Sequence, residues 1–233
     1  MLSPQGRVVM VSGANRGIGR AIAERLLAAG YAISAGVRDP AKLPFAGERV
    51  LACRYDAKDR AAPSAWVAAT VARFGRIDGL VNSAGINPLV HVMDEDEAAL
   101  DEMWAVNVKG PLRLTRAALP HLEQSGSGRI INVASLSGKR VKNESNGYAM
   151  TKFALVALTH SLRRLSWDKG VRATALCPSF VKTDMTVQFH NKVSPAEMTQ
   201  PEDLAALVET VMALPNNAVV AELLVNCRFE EML

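Results

Sequence analysis

Tyr148 and Lys152 stand four residues apart in a stretch, Gly147 to Asp168, whose periodicity predicts a long helix. That spacing places both on one helix face, with Cβ atoms about 5–6 Å apart. A free tyrosine, with a pKa near 10, is a poor base at neutral pH. A neighbouring ammonium favours the phenolate, so the pair could take a proton from an oxygen or return one. Tyr-x-x-x-Lys alone is common on helix surfaces. Ser135, thirteen residues earlier at the end of a predicted strand (Arg129 to Ser135), makes the pair a candidate reaction centre.

A second constellation stands near the start of the chain. The apolar run Arg7–Ser12 ends in Ser12-Gly13-Ala14-Asn15-Arg16-Gly17-Ile18-Gly19, followed at once by a helical pattern over Ile18–Ala29. Glycines at such a turn let backbone N–H groups approach a pyrophosphate, which then rests on the positive helix N-terminus. Position on the first strand and first helix makes this more than a structural turn.

These residues need a scaffold. Further strands are expected over Tyr31–Val37, Arg49–Cys53, Ile77–Asn82, Val171–Cys177 and Val220–Asn226. Helices are expected over Pro63–Phe74, Asp94–Val108, Pro111–Gln124 and Pro201–Leu214. Alternating strands and helices predict one α/β domain over 1–233, a Rossmann fold with a doubly wound parallel sheet covered on both faces. The irregular stretch at about 185–200 is expected to form a substrate loop over the strand C-termini.

The glycine spacing is G-x-x-x-G-x-G. Together with Asn82-Ser83-Ala84-Gly85, Asn107, Ser135 and Tyr148-x-x-x-Lys152, in that order, it resembles the short-chain dehydrogenase/reductase family from about residue 7 to Thr183. The resemblance implies an oxidoreductase that moves a hydride between a nicotinamide cofactor and a small carbonyl or alcohol. In it, Tyr148 is the general acid/base and Ser135 orients the substrate oxygen. Lys152 holds the ribose hydroxyls, and Asn107 positions a water that relays protons to Lys152. Cofactor contacts are implied for Ser12, Gly13, Asn15, Arg16, Gly17, Ile18, Gly19, Asn82, Ala84 and Gly85. They are also implied for Tyr148, Lys152, Pro178, Ser179, Val181 and Thr183, and Asp56 matches the acid that contacts adenine. Ser83 stands where the family commonly has a second Asn, and Ser179 where it usually has Gly.

Cofactor choice turns on charge. Counting about 20 residues past Gly19 reaches Asp39, which would suggest a ribose-binding acid and NAD(H). In the family register that acid belongs at the strand end, here Val37. Arg38 matches the arginine of NADP-using members and Arg16 is a second such cation, so NADP(H) is the expected cofactor. Three readings stay open beside it: an NAD-dependent alcohol dehydrogenase, a 3-oxoacyl reductase of the same family, and a non-catalytic NADP(H)-binding sensor.

The 233 residues, 49% hydrophobic and 21% charged, suit a globular domain and exclude extended disorder. The basic residues behind the net charge of +4 are scattered and aromatics make up 5%, so no nucleic-acid partner is expected. No apolar run approaches the ~18–20 residues that span a bilayer, and no signal peptide is read at the N-terminus. Cys53, Cys177 and Cys227 form no C-x-x-C pair and read as free thiols, pointing to the cytoplasm. The four histidines show no metal-ligand spacing. Lys139, Arg140 and Lys142 fall near the expected pocket mouth and could attract an anionic substrate, although a solvated loop accounts for them more simply. The tail Leu214–Asn226 resembles that of a subgroup including NADP-dependent 3-hydroxy-acid dehydrogenases, and the family resemblance implies a homodimer or homotetramer.

Overall fold

The computed structural model describes residues 1–142, 144–191 and 193–229. Seven strands form one sheet: β1 (Val8–Ser12), β2 (Ala32–Val37), β3 (Val50–Arg54), β4 (Gly79–Asn82), β5 (Arg129–Val133), β6 (Arg172–Pro178) and β7 (Glu222–Val225). Their spatial order is β3-β2-β1-β4-β5-β6-β7, and every pairing is parallel. The order reverses between β1 and β4, which opens a crevice at the strand C-termini where such sheets bind ligands. β1, β4 and β5 are buried along their whole length, as inner strands of a sheet covered on both faces are.

Among the described residues six α-helices cover the faces: α1 (Gly17–Ala29), α2 (Ala62–Phe74), α3 (Ala98–Trp104), α4 (Gly110–Gln124), α5 (Asn146–Leu165) and α6 (Pro201–Ala213). On one face α1 and α6 bury Ile22, Leu26, Leu204, Val208 and Met212 against the sheet. On the other, Trp66, Leu114, Leu122 and Leu162 do the same. Gly36 makes room for Trp66: a Cβ there would lie 2.3 Å from the indole ring. The indole N–H donates to Ser34 Oγ at 2.8 Å, so a large apolar body is buried with its polar atom satisfied.

The expected helix from Asp94 begins only at Ala98. Asp94 and Asp96 accept backbone N–H bonds from His91 and Ala98, and such short acids compete with helix formation. The expected gap before Pro111 is instead bridged by a π turn, Ala105–Lys109, joining α3 to α4. Pro111 has no N–H to return to the carbonyl four residues back, which belongs to Asn107. The remaining boundaries shift by one to three residues. The late irregular stretch contains a 3₁₀ turn, Asp184–Phe189, and Val181 bridges Thr199 to close its base.

Candidate active site

A cavity of about 1900 Å³ runs along the strand C-termini, from the glycine turn past the ends of β4, β5 and β6. At one end Gly13 and Gly17 take φ of +70° and +54°, which favours glycine. A Cβ on Gly19 would strike Gly13 O at 2.4 Å, so the turn closes only without side chains there. The N-terminus of α1 carries no side-chain cap, leaving its first N–H groups facing the cavity. A backbone cradle with uncapped donors fits a dinucleotide pyrophosphate. Asn15, Arg16, Gly17, Ile18 and Gly19 line this end with Ala84 and Gly85.

Arg38 lies exposed at the end of β2 and lines the cavity. Asp39 turns the other way: its Oδ1 accepts the Ala41 N–H at 3.2 Å, and Oδ2 lies 3.5 Å from Lys42 Nζ. Asp56 lines the cavity while capping its own turn through the Lys58 N–H at 2.9 Å. Lys58 and Glu102, paired at 2.7 Å, also line this end and have no signal in the motifs. Lys58 is recognisable only once β3 and α3 are brought together.

At the other end Ser135 follows β5, with its Oγ accepting the Ser137 N–H at 3.0 Å. Tyr148 and Lys152 project from α5, and Lys152 Nζ sits 5.4 Å from the Tyr148 ring centroid. Burial pushes the Tyr148 phenol up to about 12, against a smaller downward pull from its hydrogen bond with Ser135. Burial also lowers Lys152 to about 8. Without the cofactor's positive charge, desolvation therefore outweighs the ammonium expected to favour the phenolate. Lys152 Nζ donates to Val133 O at 2.8 Å.

Pro178, Ser179, Val181 and Thr183 form the wall after β6. A Cβ on Gly17 would meet Thr183 Cγ2 at 3.3 Å, and Arg16 Nη1 lies 3.2 Å from Asp184 Oδ2, so this segment closes onto the glycine turn.

Three expected site residues lie behind the wall. Ser12 Oγ accepts the Ser83 and Ala84 N–H groups at 3.0 and 3.1 Å and ties the two turns together. Asn82 Nδ2 donates to Asn132 Oδ1 at 2.8 Å, across the β4–β5 rung. Asn107 exchanges two hydrogen bonds with the Ile86 backbone, both 2.9 Å, and donates to Thr151 at 3.2 Å. Its side chain is thereby committed to structure. A Cβ on Gly85 would lie 3.4 Å from Asn107 Oδ1 and 3.8 Å from Lys152 Nζ, so these groups still converge beside Gly85.

Among the described residues no group of three ligand-type side chains could hold a metal, and no helix is long and apolar enough to cross a membrane. The three cysteines are free thiols.

A family model described as short chain dehydrogenase matches residues 7–194. Agropine synthesis reductase of Rhizobium rhizogenes is 43% identical over 98% of this chain, but only 54% of that protein is matched. The chain thus spans about half the length of the curated relatives it matches most strongly. An uncharacterised oxidoreductase of Staphylococcus saprophyticus is 31% identical over 97% of this chain and 99% of its own. The structure of a 3-ketoacyl-(acyl-carrier-protein) reductase from Brucella melitensis, complexed with NADH, superposes with a TM-score of 0.88 at 28% identity, covering 97% of this chain and 98% of that one. An alcohol dehydrogenase from the archaeon Thermococcus sibiricus, complexed with 5-hydroxy-NADP, gives 0.85 at 28% identity, covering 94% and 95%. With the glycine cradle and the serine, tyrosine and lysine at opposite ends of one cavity, this protein belongs to the short-chain dehydrogenase family.

Proposed function

We propose that this protein is an NADP(H)-dependent oxidoreductase interconverting a carbonyl and an alcohol on a small molecule. The observation carrying this reading is the meeting of Ser135, Tyr148 and Lys152 in the same cavity as an uncapped glycine cradle. NADP(H), when bound, supplies or accepts the hydride. In reduction, Ser135 Oγ donates to the carbonyl oxygen and holds its carbon towards the nicotinamide. Tyr148 Oη would give its proton to that oxygen as the alcohol forms, and would take it back in oxidation. A phenol held near 12 retains its proton in the free protein, which suits the acid role. Lys152 binds the ribose hydroxyls and carries positive charge beside the phenol. With the Asn107 side chain bonded to Ile86, the backbone carbonyl of Asn107, four residues before Pro111, is the group to hold a relay water.

Arg38 supports the phosphorylated cofactor, because its guanidinium reaches the cavity and can pair with a 2′-phosphate while Asp39 faces its own turn. Exposed Leu112, Met150 and Phe153 on α4 and α5 support a homodimer or homotetramer. The free thiols suit the cytoplasm.

Titration with NADPH and NADH, followed by cofactor fluorescence, tests the cofactor. NADPH is expected to bind at least about tenfold tighter, the preference vanishing in Arg38→Ala; about 1.4 kcal/mol is what one charge-assisted contact supplies. Equal or tighter NADH binding refutes the NADP reading. Tyr148→Phe is expected to abolish turnover and leave NADPH binding within about twofold. Retention of a tenth of the activity would assign the proton to another group.

A further inference from the structure

The basic run that follows Ser135 divides in the structure. Arg140 and Lys142 line the cavity, whereas Lys139 pairs with Glu222 on the edge strand β7. Its Nζ lies 2.9 Å from Oε2 and 3.0 Å from Oε1 of that carboxylate. Sheet register explains the meeting. Glu222 stands opposite Ala175 of β6, and Ala175 opposite Asn132 of β5. The Glu222 backbone is therefore level with a residue three before Ser135, and two strands to its side, or about 10 Å.

A second contact fixes the same carboxylate. His160 Nε2 lies 2.7 Å from Glu222 Oε1, and His160 Nδ1 lies 3.3 Å from Arg163 Nη1. A guanidinium only donates, so Nδ1 accepts and Nε2 carries the hydrogen given to Glu222. Burial works to raise the Glu222 carboxyl, but the bonds from Lys139 and His160 hold it below its usual range, so it is ionised at neutral pH. Its side chain is only 17% exposed, and a charge-assisted pair so shielded is screened less than a surface ion pair.

Both arms end on the supports of the reaction centre. Lys139 closes the tight turn Leu136–Gly138, its N–H donating to Leu136 O at 2.9 Å. That turn opens with Ser135, whose Oγ accepts the Ser137 N–H. It rests directly on α5: a Cβ on Gly138 would lie 2.6 Å from Lys152 O. His160 sits about two turns beyond Lys152 on the same helix. One carboxylate on β7 thus grips both the turn that carries the serine and the helix that carries the tyrosine and lysine. Glu222, Lys139 and His160 are not part of the cavity wall.

We infer that Glu222 is a positioning residue: through Lys139 and His160 it holds the Ser135 turn in register with Tyr148 and Lys152. This rests on the oxidoreductase reading above and adds to it a residue that touches neither substrate nor cofactor. The glycine cradle follows β1, four strands from β7, so the effect falls on the chemical step and not on the pyrophosphate end.

The test measures reduction of 4-nitrobenzaldehyde and 2,3-butanedione with NADPH and then NADH. Misplacing a reacting group by about 1 Å costs about 10²-fold, and a loosened turn moves less, so Glu222→Gln and Lys139→Met should each lower kcat about five- to tenfold. KM for the cofactor should stay within about twofold. The double variant should lose no more than either single one, because both remove the same contact. Lys139→Arg, which keeps the charge and the reach, should restore at least about half of the wild-type kcat. Lys139 is the more exposed partner, so its variants carry the test if Glu222→Gln fails to fold. Wild-type kcat in either folded single variant, even with a lower unfolding midpoint, would overturn the inference while leaving the oxidoreductase reading intact. So would losses that multiply in the double variant, or a cofactor KM that rises as kcat falls.

If the wild-type protein reduces neither probe with either nucleotide, the oxidoreductase reading is what fails. Hydrogen exchange then decides the grip on the turn separately, since the Ser137, Gly138, Lys139 and Arg140 N–H groups are all bonded within it. Faster exchange in Lys139→Met at these amides, with the glycine cradle unchanged, upholds it; unchanged exchange overturns it.

Discussion

Replacing Lys152 with methionine should abolish turnover and make the protein more stable at neutral pH. The ammonium is 5% exposed, and burial lowers its pKa from 10.5 to about 8. Holding it charged in the folded state therefore costs about 3 kcal/mol at 1.36 kcal/mol per pKa unit. Between pH 8 and 10.5 the unfolded chain binds the proton and the folded chain does not, so wild-type stability from this group rises with pH across that window. Methionine removes the charge but strips Val133 O of its donor, which costs about 1 kcal/mol. The net gain at pH 7 is about 2 kcal/mol, or a Tm about 4–8 °C higher for a chain of this size. Urea unfolding of both proteins at pH 7 and pH 10.5, followed by circular dichroism, measures it. The variant's advantage should be largest at pH 7 and turn by pH 10.5 into a deficit of up to about 1 kcal/mol, the cost of the lost hydrogen bond. A variant less stable at pH 7, or a gap independent of pH, would refute the claim that this lysine is held against its solvation preference.

The same pKa predicts that kcat/KM for the cofactor in carbonyl reduction, which reports the free protein, falls as pH rises through about 8, when Lys152 loses its charge, while Tyr148 keeps its proton to about 12; a pH–rate profile at limiting cofactor checks it. Asp184→Asn frees Arg16 from an ion pair in which both side chains are mostly exposed, a contact worth at most about 1 kcal/mol. It should tighten NADPH binding up to about fivefold and leave NADH unchanged, as read by fluorescence titration. Gly36→Ala forces a Cβ into Trp66 and should destabilise the protein by about 1–3 kcal/mol, seen as a lower urea midpoint with an unchanged slope.

The motifs carry most of the site because short-range geometry fixes them. Glycines spaced for a tight turn before a helix, and a tyrosine and lysine one helical turn apart, have their relative positions set by local backbone alone. The continuous apolar run Val8–Val11 of β1 likewise identifies a buried parallel strand without knowledge of its neighbours. Asp39 beside Pro40 was also legible as a turn element, because a short acid before proline caps its own turn, as its bond from the Ala41 N–H does.

Only the tertiary structure decided what depends on distant segments meeting. Nothing local shows that Asn107 and Ser12 spend their side chains on Ile86 and on the Ser83–Ala84 turn. The pairing of Lys58 with Glu102 requires β3 and α3 to approach one another. That Lys139 turns to Glu222 while Arg140 lines the cavity depends on β7 packing beside β6, 83 residues later in the chain. Burial, which raises Tyr148 and lowers Lys152, is likewise a property of the assembled sheet and helices. The sequence determined which chemical groups are present and their local spacing; the packing of the chain decided which remain available for chemistry, because that depends on solvent and partners supplied from far along it.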